Sequence, residues 1–181
     1  MNETEAARAP ATARVFFALW PDDAVRRELA RRGERMHRLL SGKPTRAESI
    51  HMTLLFLGDV PAARVELLRG IGDRIAFEPF ALEVDQASCW KHNKVAWVGT
   101  SQMPPALPRL VADLEAAVGR EGFAFDRRPF APHITVVRKA HCVPLPALSP
   151  VAWPVTDFVL VRSELNNEGS RYSVIGRWGP A

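Results

Sequence analysis

Cysteine is scarce in this 181-residue chain. There are two, Cys89 and Cys142, with no Cys-x-x-Cys spacing. That argues against a disulfide scaffold and against a structural zinc site. It fits a reducing cytoplasm. Long apolar runs are missing too: none approaches the roughly 20 residues that span a bilayer. The N-terminal segment MNETEAARAPATAR lacks the apolar stretch of a secretory signal. Residues 1–13 read as a disordered leader and 14–181 as one domain. No low-complexity tract or interdomain linker interrupts the chain. The expectation is a soluble cytoplasmic monomer that works without a cofactor or metal.

The composition is otherwise that of a globular protein, 47% hydrophobic and 24% charged. A core of that size supports a fold without covalent staples. The net charge of +4 suits an anionic ligand, though alone it says little about nucleic acid.

Arg14 to Trp20 is an apolar run that reads as a buried strand. Pro21-Asp22-Asp23 then offers caps for a helix. Val25, Leu29, Met36 and Leu40 recur in it at helical spacing. Ser49 to Leu57 reads as a strand, and Pro61 opens a second helix with Val65, Leu68, Ile71 and Ile75 on its apolar face. Phe80, Leu82 and Val84 alternate as in a half-buried strand. Lys94 to Gly99 follows a His92-Asn93 turn, and these two strands suggest a hairpin. Leu107, Leu110, Val111, Leu114 and Val118 mark a third helix. Phe130 to Val137 is the next strand. A proline-rich loop, Val143 to Pro154, leads to strands at Asp157 to Arg162 and Tyr172 to Trp178. The order β-α-β-α-β-β-α-β-β-β implies an α+β fold with antiparallel or mixed sheets and helices packed outside.

One pattern occurs twice. His51-Met52-Thr53 and His133-Ile134-Thr135 each follow a helix and run into apolar residues. On a strand, residues i and i+2 share a face. Each strand therefore presents an imidazole beside a hydroxyl, with Met52, Leu54, Ile134 and Val136 turned to a core. Two similar lobes would each give one such strand to a shared cleft. The set suits phosphodiester hydrolysis. Water needs a base, and the departing sugar oxygen needs an acid. Imidazole, with an ordinary pKa near ~6.5, does either job near neutral pH. The threonine hydroxyls can donate to the non-bridging oxygens, where charge sits in the transition state. A lone histidine on a strand is more often structural than catalytic. Two copies of the whole pattern, one in each half, favour the functional reading.

The chain resembles the two-histidine (2H) phosphoesterases, and among them the bacterial RNA 2',3'-cyclic phosphodiesterases, also described as 2'-5' RNA ligases. The segments that carry the resemblance are RVFFALWPDD, SIHMTLLFLGDV, KVAWVG, RPFAPHITVVRKA and RYSVIGRW. It implies a bilobal fold with a pseudo-twofold axis and a central cleft. It also implies catalytic positions at His51 and His133, with Thr53 and Thr135 holding substrate. Its expected reaction opens a 2',3'-cyclic phosphate at an RNA or nucleotide end to a 2'-phosphate, with His51 as acid and His133 as base. In the family an arginine at the position of Arg138 lines the pocket. Strand parity in this chain points Arg138 the other way, so pocket and surface are both open for it.

The other candidates read blandly. Phe16 and Phe17 suit core packing. Trp90, Trp97 and Tyr172 are assigned to no site, Lys139 to the surface, His92 to an exposed turn, and His37 and His141 to no partner. The same four motif residues would serve a 2'-5' phosphodiesterase or a 2'-5' RNA ligase. A non-catalytic RNA-end-binding protein would need the cleft but no intact proton relay. Two imidazoles without a third ligand make a poor metal site.

Overall fold

The computed structural model describes residues 11–167 and 169–180. Residues 1–10 of the expected leader lie outside them. Thr12 and Ala13, also expected in the leader, are already paired in the first strand. In chain order the elements are β1 (Thr12–Leu19), α1 (Asp23–Leu40), β2 (Lys43–Pro44), a 3-10 turn (Ala47–Ser49), β3 (Met52–Pro61) and a second 3-10 turn (Ala62–Arg64). Then come α2 (Val65–Gly72), β4 (Phe80–Val84), β5 (Gln86–Trp90), β6 (Val95–Gly99), α3 (Ala106–Arg120), β7 (Ile134–Arg138), β8 (Val151–Val155), β9 (Phe158–Asn166) and β10 (Gly169–Trp178).

Local chemistry accounts for the helices. The Asp22 carboxylate accepts the Val25 N–H at 2.8 Å and caps α1. Val25, Leu29, Met36 and Leu40 are buried along it. Gly33 lies on the same buried face, where a Cβ would stand 3.2 Å from the Val136 Cβ. This glycine lets α1 press onto β7, the strand that follows His133. The apolar faces of α2 and α3 bury Val65, Leu68 and Ile71, and Leu107, Leu110, Val111, Leu114 and Val118.

The main sheet runs β10-β9-β1-β3-β7-β6-β5, with β2 added to β7. Every pairing in it is antiparallel. The class is α+β, as expected. The division into sheets is not quite the expected one. The strands on either side of the centre belong to one sheet, joined between β3 and β7 by the single pair Met52–Ile134. Each residue of that pair is the middle of a His-x-Thr motif. A large core of strand and helix side chains backs the sheet. A smaller cluster is built from strand residues alone, Phe16, Ala18, Val159 and Val161, with Phe56 and Tyr172 and the flanking Trp20 against it.

Three expectations are corrected. The partner of β6 in a hairpin is β5, a strand not anticipated, while β4 pairs instead with β8 in a separate two-stranded sheet. The segment QASCW has no clean apolar alternation, and its pleat is set by pairing rather than by its own pattern. β8 begins within the proline-rich loop and ends one residue beyond it. Its Pro154 is tolerated because β8 pairs on one side only, with Ala81 opposite. Finally, Cys89 and Cys142 form a disulfide across 53 positions. It ties β5 to the chain leaving β7. The hydrophobic core, not this one bond, is still what the fold is built on.

Candidate functional site

Both histidines stand one residue before their strands begin, at the junction of β3 and β7. Met52, Leu54, Ile134 and Val136 are buried, while His51, Thr53, His133 and Thr135 are half-buried. The period-two reading of both motifs therefore holds. With Met52 opposite Ile134 in antiparallel register, His51 falls across from Thr135 and Thr53 across from His133.

The chain fixes the tautomer of each ring. His51 Nδ1 lies 2.7 Å from the Ser49 carbonyl oxygen, and His133 Nδ1 lies 2.8 Å from that of Ala131. A carbonyl only accepts, so both Nδ1 atoms carry hydrogen. In the neutral rings the lone pair is then on Nε2. His51 Nε2 sits 3.1 Å from Thr53 Oγ1, whose hydroxyl donates to it. Both carbonyls come from the residue two positions earlier, so the two loops present their rings in the same way.

Their surroundings differ. Three aromatic rings enclose His51: Trp20 stacked at 5.6 Å between centroids, Phe16 at 5.0 Å and Tyr172 edge-on at 5.2 Å. His133 has one, Trp90, edge-on at 4.6 Å. His133 also opens onto a cavity of about 450 Å³, shared with Thr53, Phe56, Trp90, His92 and Phe130. Sequence pattern assigns Trp90 and Tyr172 to no site and Phe16 to core packing, yet all three touch an imidazole. Residues 16, 18 and 20 have the same parity along RVFFALW, but the register shift between Phe17 and Ala18 keeps parity alone from placing Phe16 and Trp20 at His51. Phe17, on the other face, is fully buried in the main core as expected.

Burial disfavours a charge on either ring. Burial lowers the His51 pKa to about 4. The Ser49 hydrogen bond opposes this, and the charges of Arg138 and His133 add to it. The His133 pKa is also lowered, first by burial and then by Arg138 and Arg128, against the Ala131 hydrogen bond. Each histidine thus senses Arg138, and His51 senses His133. Arg138 ends β7 and is exposed. Its charge reaches both rings although its strand parity is opposite to theirs. Arg128 lines the cavity with its guanidinium held by Asp126. His92 is exposed, as expected, but at the rim of that same cavity. His37 bonds the Ser41 carbonyl at the end of α1, and His141 follows β7, exposed.

An antiparallel α+β fold with two His-x-Thr strands meeting at one junction defines the class of two-histidine phosphoesterases. The LigT-like phosphoesterase family model matches residues 19–97 and again 98–172. The chain is 32% identical over 168 residues to the RNA 2',3'-cyclic phosphodiesterase of Escherichia coli K12, covering 91% of this chain and 95% of that protein. It is 30% identical over 179 residues to the protein of the same name from Thermus thermophilus, covering 91% and 89%. The crystal structure of E. coli LigT complexed with 3'-AMP superposes with a TM-score of 0.86 at 32% identity, over 93% of this chain and 98% of that one. This chain belongs to the LigT-like phosphoesterase family.

Proposed function

We propose that this protein hydrolyses 2',3'-cyclic phosphates at RNA or nucleotide ends to 2'-phosphates. The observation that carries the reading is the matched presentation of two imidazoles. Both have Nδ1 tied to a backbone carbonyl, so each neutral ring carries its lone pair on Nε2, which in His51 accepts from Thr53 Oγ1. The names of the curated relatives point the same way. The tandem family match and the single pair at Met52–Ile134 support two lobes related by a pseudo-twofold axis through that pair. In this reading one substrate phosphorus has an imidazole on each side.

The reaction balances without a further reactant. His133 Nε2 takes a proton from water, and the oxygen attacks phosphorus in line with the 3'-oxygen. The P–O3' bond breaks, and His51 Nε2 protonates the departing oxygen. A 2'-phosphate and a 3'-hydroxyl result. Thr53 and Thr135 donate hydrogen bonds to the non-bridging oxygens, and Arg138 balances their charge. The lowered pKa of His133 favours its neutral ring, which suits the base. The acid needs a proton, and a bound phosphate anion favours the imidazolium beside it. Once charged, His51 has the stacked face of Trp20 within cation–π range. A group whose pKa had been pulled low gives its proton up readily.

The test is incubation of the purified protein with each nucleoside 2',3'-cyclic phosphate in EDTA, with identification of the products. The 2'-phosphate in undiminished yield is expected. Loss of turnover on chelation, restored by one specific metal ion, would overturn the metal-independent scheme.

A further inference from the structure

The two imidazoles are held to unequal degrees. His51 has three rings and the Thr53 hydroxyl around it besides its carbonyl. His133 stands just before β7, on a stretch that is neither helix nor strand. Among the described residues it has the Ala131 carbonyl at Nδ1 and one ring, Trp90, edge-on at 4.6 Å. A hydrogen bond at one nitrogen leaves a ring room to tilt. The direction of His133 Nε2 therefore rests on Trp90.

Trp90 is itself weakly placed by the sheet. It is the last residue of β5, the outermost strand, which pairs with β6 alone. A strand end paired on one side is where local opening starts. The Cys89–Cys142 bond lies at that end. Neighbours on a strand point to opposite faces. Cys89 accordingly packs against the main core, while Trp90 turns to the cavity beside His133. Cys142 lies on the chain leaving β7, the strand that His133 leads into. The bond thus joins the strand of Trp90, from behind, to the segment that carries His133.

We propose that Trp90, clamped by the Cys89–Cys142 bond, is the positioning residue of His133, and that opening the bond with a dithiol slows turnover while the fold persists. In that step the dithiol gives up two electrons and two protons. Cys89 and Cys142 become thiols, and the reagent closes to its own disulfide. An edge-on aromatic contact biases a ring's orientation by roughly 2- to 10-fold, which sets the scale of the effect. The effect on turnover rests on the cyclic phosphodiesterase reading above; the effect on the ring does not.

The probe is dithiothreitol, and the chain has no third cysteine on which it could act. Wild type, Cys89→Ser/Cys142→Ser and Trp90→Ala are each compared with and without it. Kinetics on adenosine 2',3'-cyclic phosphate are one readout. The other is the NMR signals of the His133 ring protons, which the Trp90 ring current displaces and which His133→Ala identifies by their loss. On reduction of the wild type, kcat falls by about 5-fold with KM unchanged. The His133 signals lose their displacement, circular dichroism stays the same, and reoxidation restores rate and signals. The serine double variant matches the reduced protein and ignores the dithiol. Trp90→Ala is slow in both states and also ignores it. Unchanged kcat and unchanged His133 signals, once both thiols titrate as free, would overturn the proposal. So would a fall carried by KM alone, unfolding on reduction, or a Trp90→Ala protein that still responds to the dithiol. If the wild type turns over no cyclic nucleotide, the hydrolase reading fails, and the His133 signals in the two states still decide whether the clamp exists.

Discussion

The two halves of the molecule carry the same three-residue motif in unlike surroundings. His51 sits among Phe16, Trp20 and Tyr172, with its Nε2 bonded to Thr53. His133 has one ring beside it and opens onto a cavity. The half with the open histidine also holds the Cys89–Cys142 disulfide, one residue from Trp90. On the proposed reading, the contrast teaches that a duplicated motif supplies the chemistry while its neighbours separate the roles. An enclosed imidazole, shielded from water, suits delivery of a proton to a leaving oxygen. An imidazole facing open space suits activation of a water molecule. Position on the strand is nearly symmetric between the two and says nothing of this.

The largest effects should come from the imidazoles themselves. His51→Ala and His133→Ala should each lower kcat by roughly 10²-fold or more, as loss of one proton transfer does. Circular dichroism should show both variants folded. Near-normal turnover of either would mean that the two motifs do not share a site.

The threonines should matter less. Thr53→Ala and Thr135→Ala each remove one hydrogen bond to a charged group, about 1.5–3 kcal/mol, or roughly 10- to 100-fold in kcat/KM. Thr53→Ala should also shift the pH profile, because its hydroxyl touches His51 Nε2. Thr135→Ala, with no such contact described, should leave the profile in place. Identical profiles for the two variants would remove this distinction between the halves.

The profile itself has a predicted sign. The proposed reaction requires one neutral and one protonated imidazole, and kcat/KM reports the free protein. Both pKa values are lowered from 6.5. The singly protonated form therefore peaks below pH 6.5 and declines above it. The bell should have its maximum on the acidic side, with limbs that belong to the pair rather than to named residues. Arg138→Ala should move the bell to higher pH, since its charge disfavours both imidazolium ions. It should also weaken binding of the 2'-phosphate product, as measured by calorimetry. A bell centred above about pH 7 in the wild type, or unchanged product affinity in Arg138→Ala, would contradict this account of the electrostatics.

Much of the fold was legible because burial follows local pattern. The helical spacing of Val25 to Leu40 and the alternation at Met52, Leu54, Ile134 and Val136 hold as read. The His-x-Thr pairs were legible for the same reason, since a strand fixes which side chains share a face. What escaped depends on pairings between distant strands. Tyr172 meets His51 only because β10, β9, β1 and β3 lie in that order. The register of β1 on β3 also shifts between Phe17 and Ala18, so parity along RVFFALW does not by itself settle which rings reach the cleft. The disulfide escaped because β6 must fold back on both β5 and β7 before Cys89 can meet Cys142. Arg138 shows the limit of parity from the other side. Its position on the strand points it away, yet its charge acts on both rings.

The assignment of separate roles is tested most directly by changing the leaving group. A cyclic phosphate analogue with sulfur in place of the bridging 3'-oxygen expels a thiolate, which has little need of an acid. It is offered to the wild type, His51→Ala and His133→Ala, and the turnover of each is compared with that on the oxygen substrate. The account predicts that sulfur restores His51→Ala most of the way toward the wild-type rate and leaves His133→Ala as slow as before. Rescue of His133→Ala and not of His51→Ala would contradict it and exchange the acid and the base.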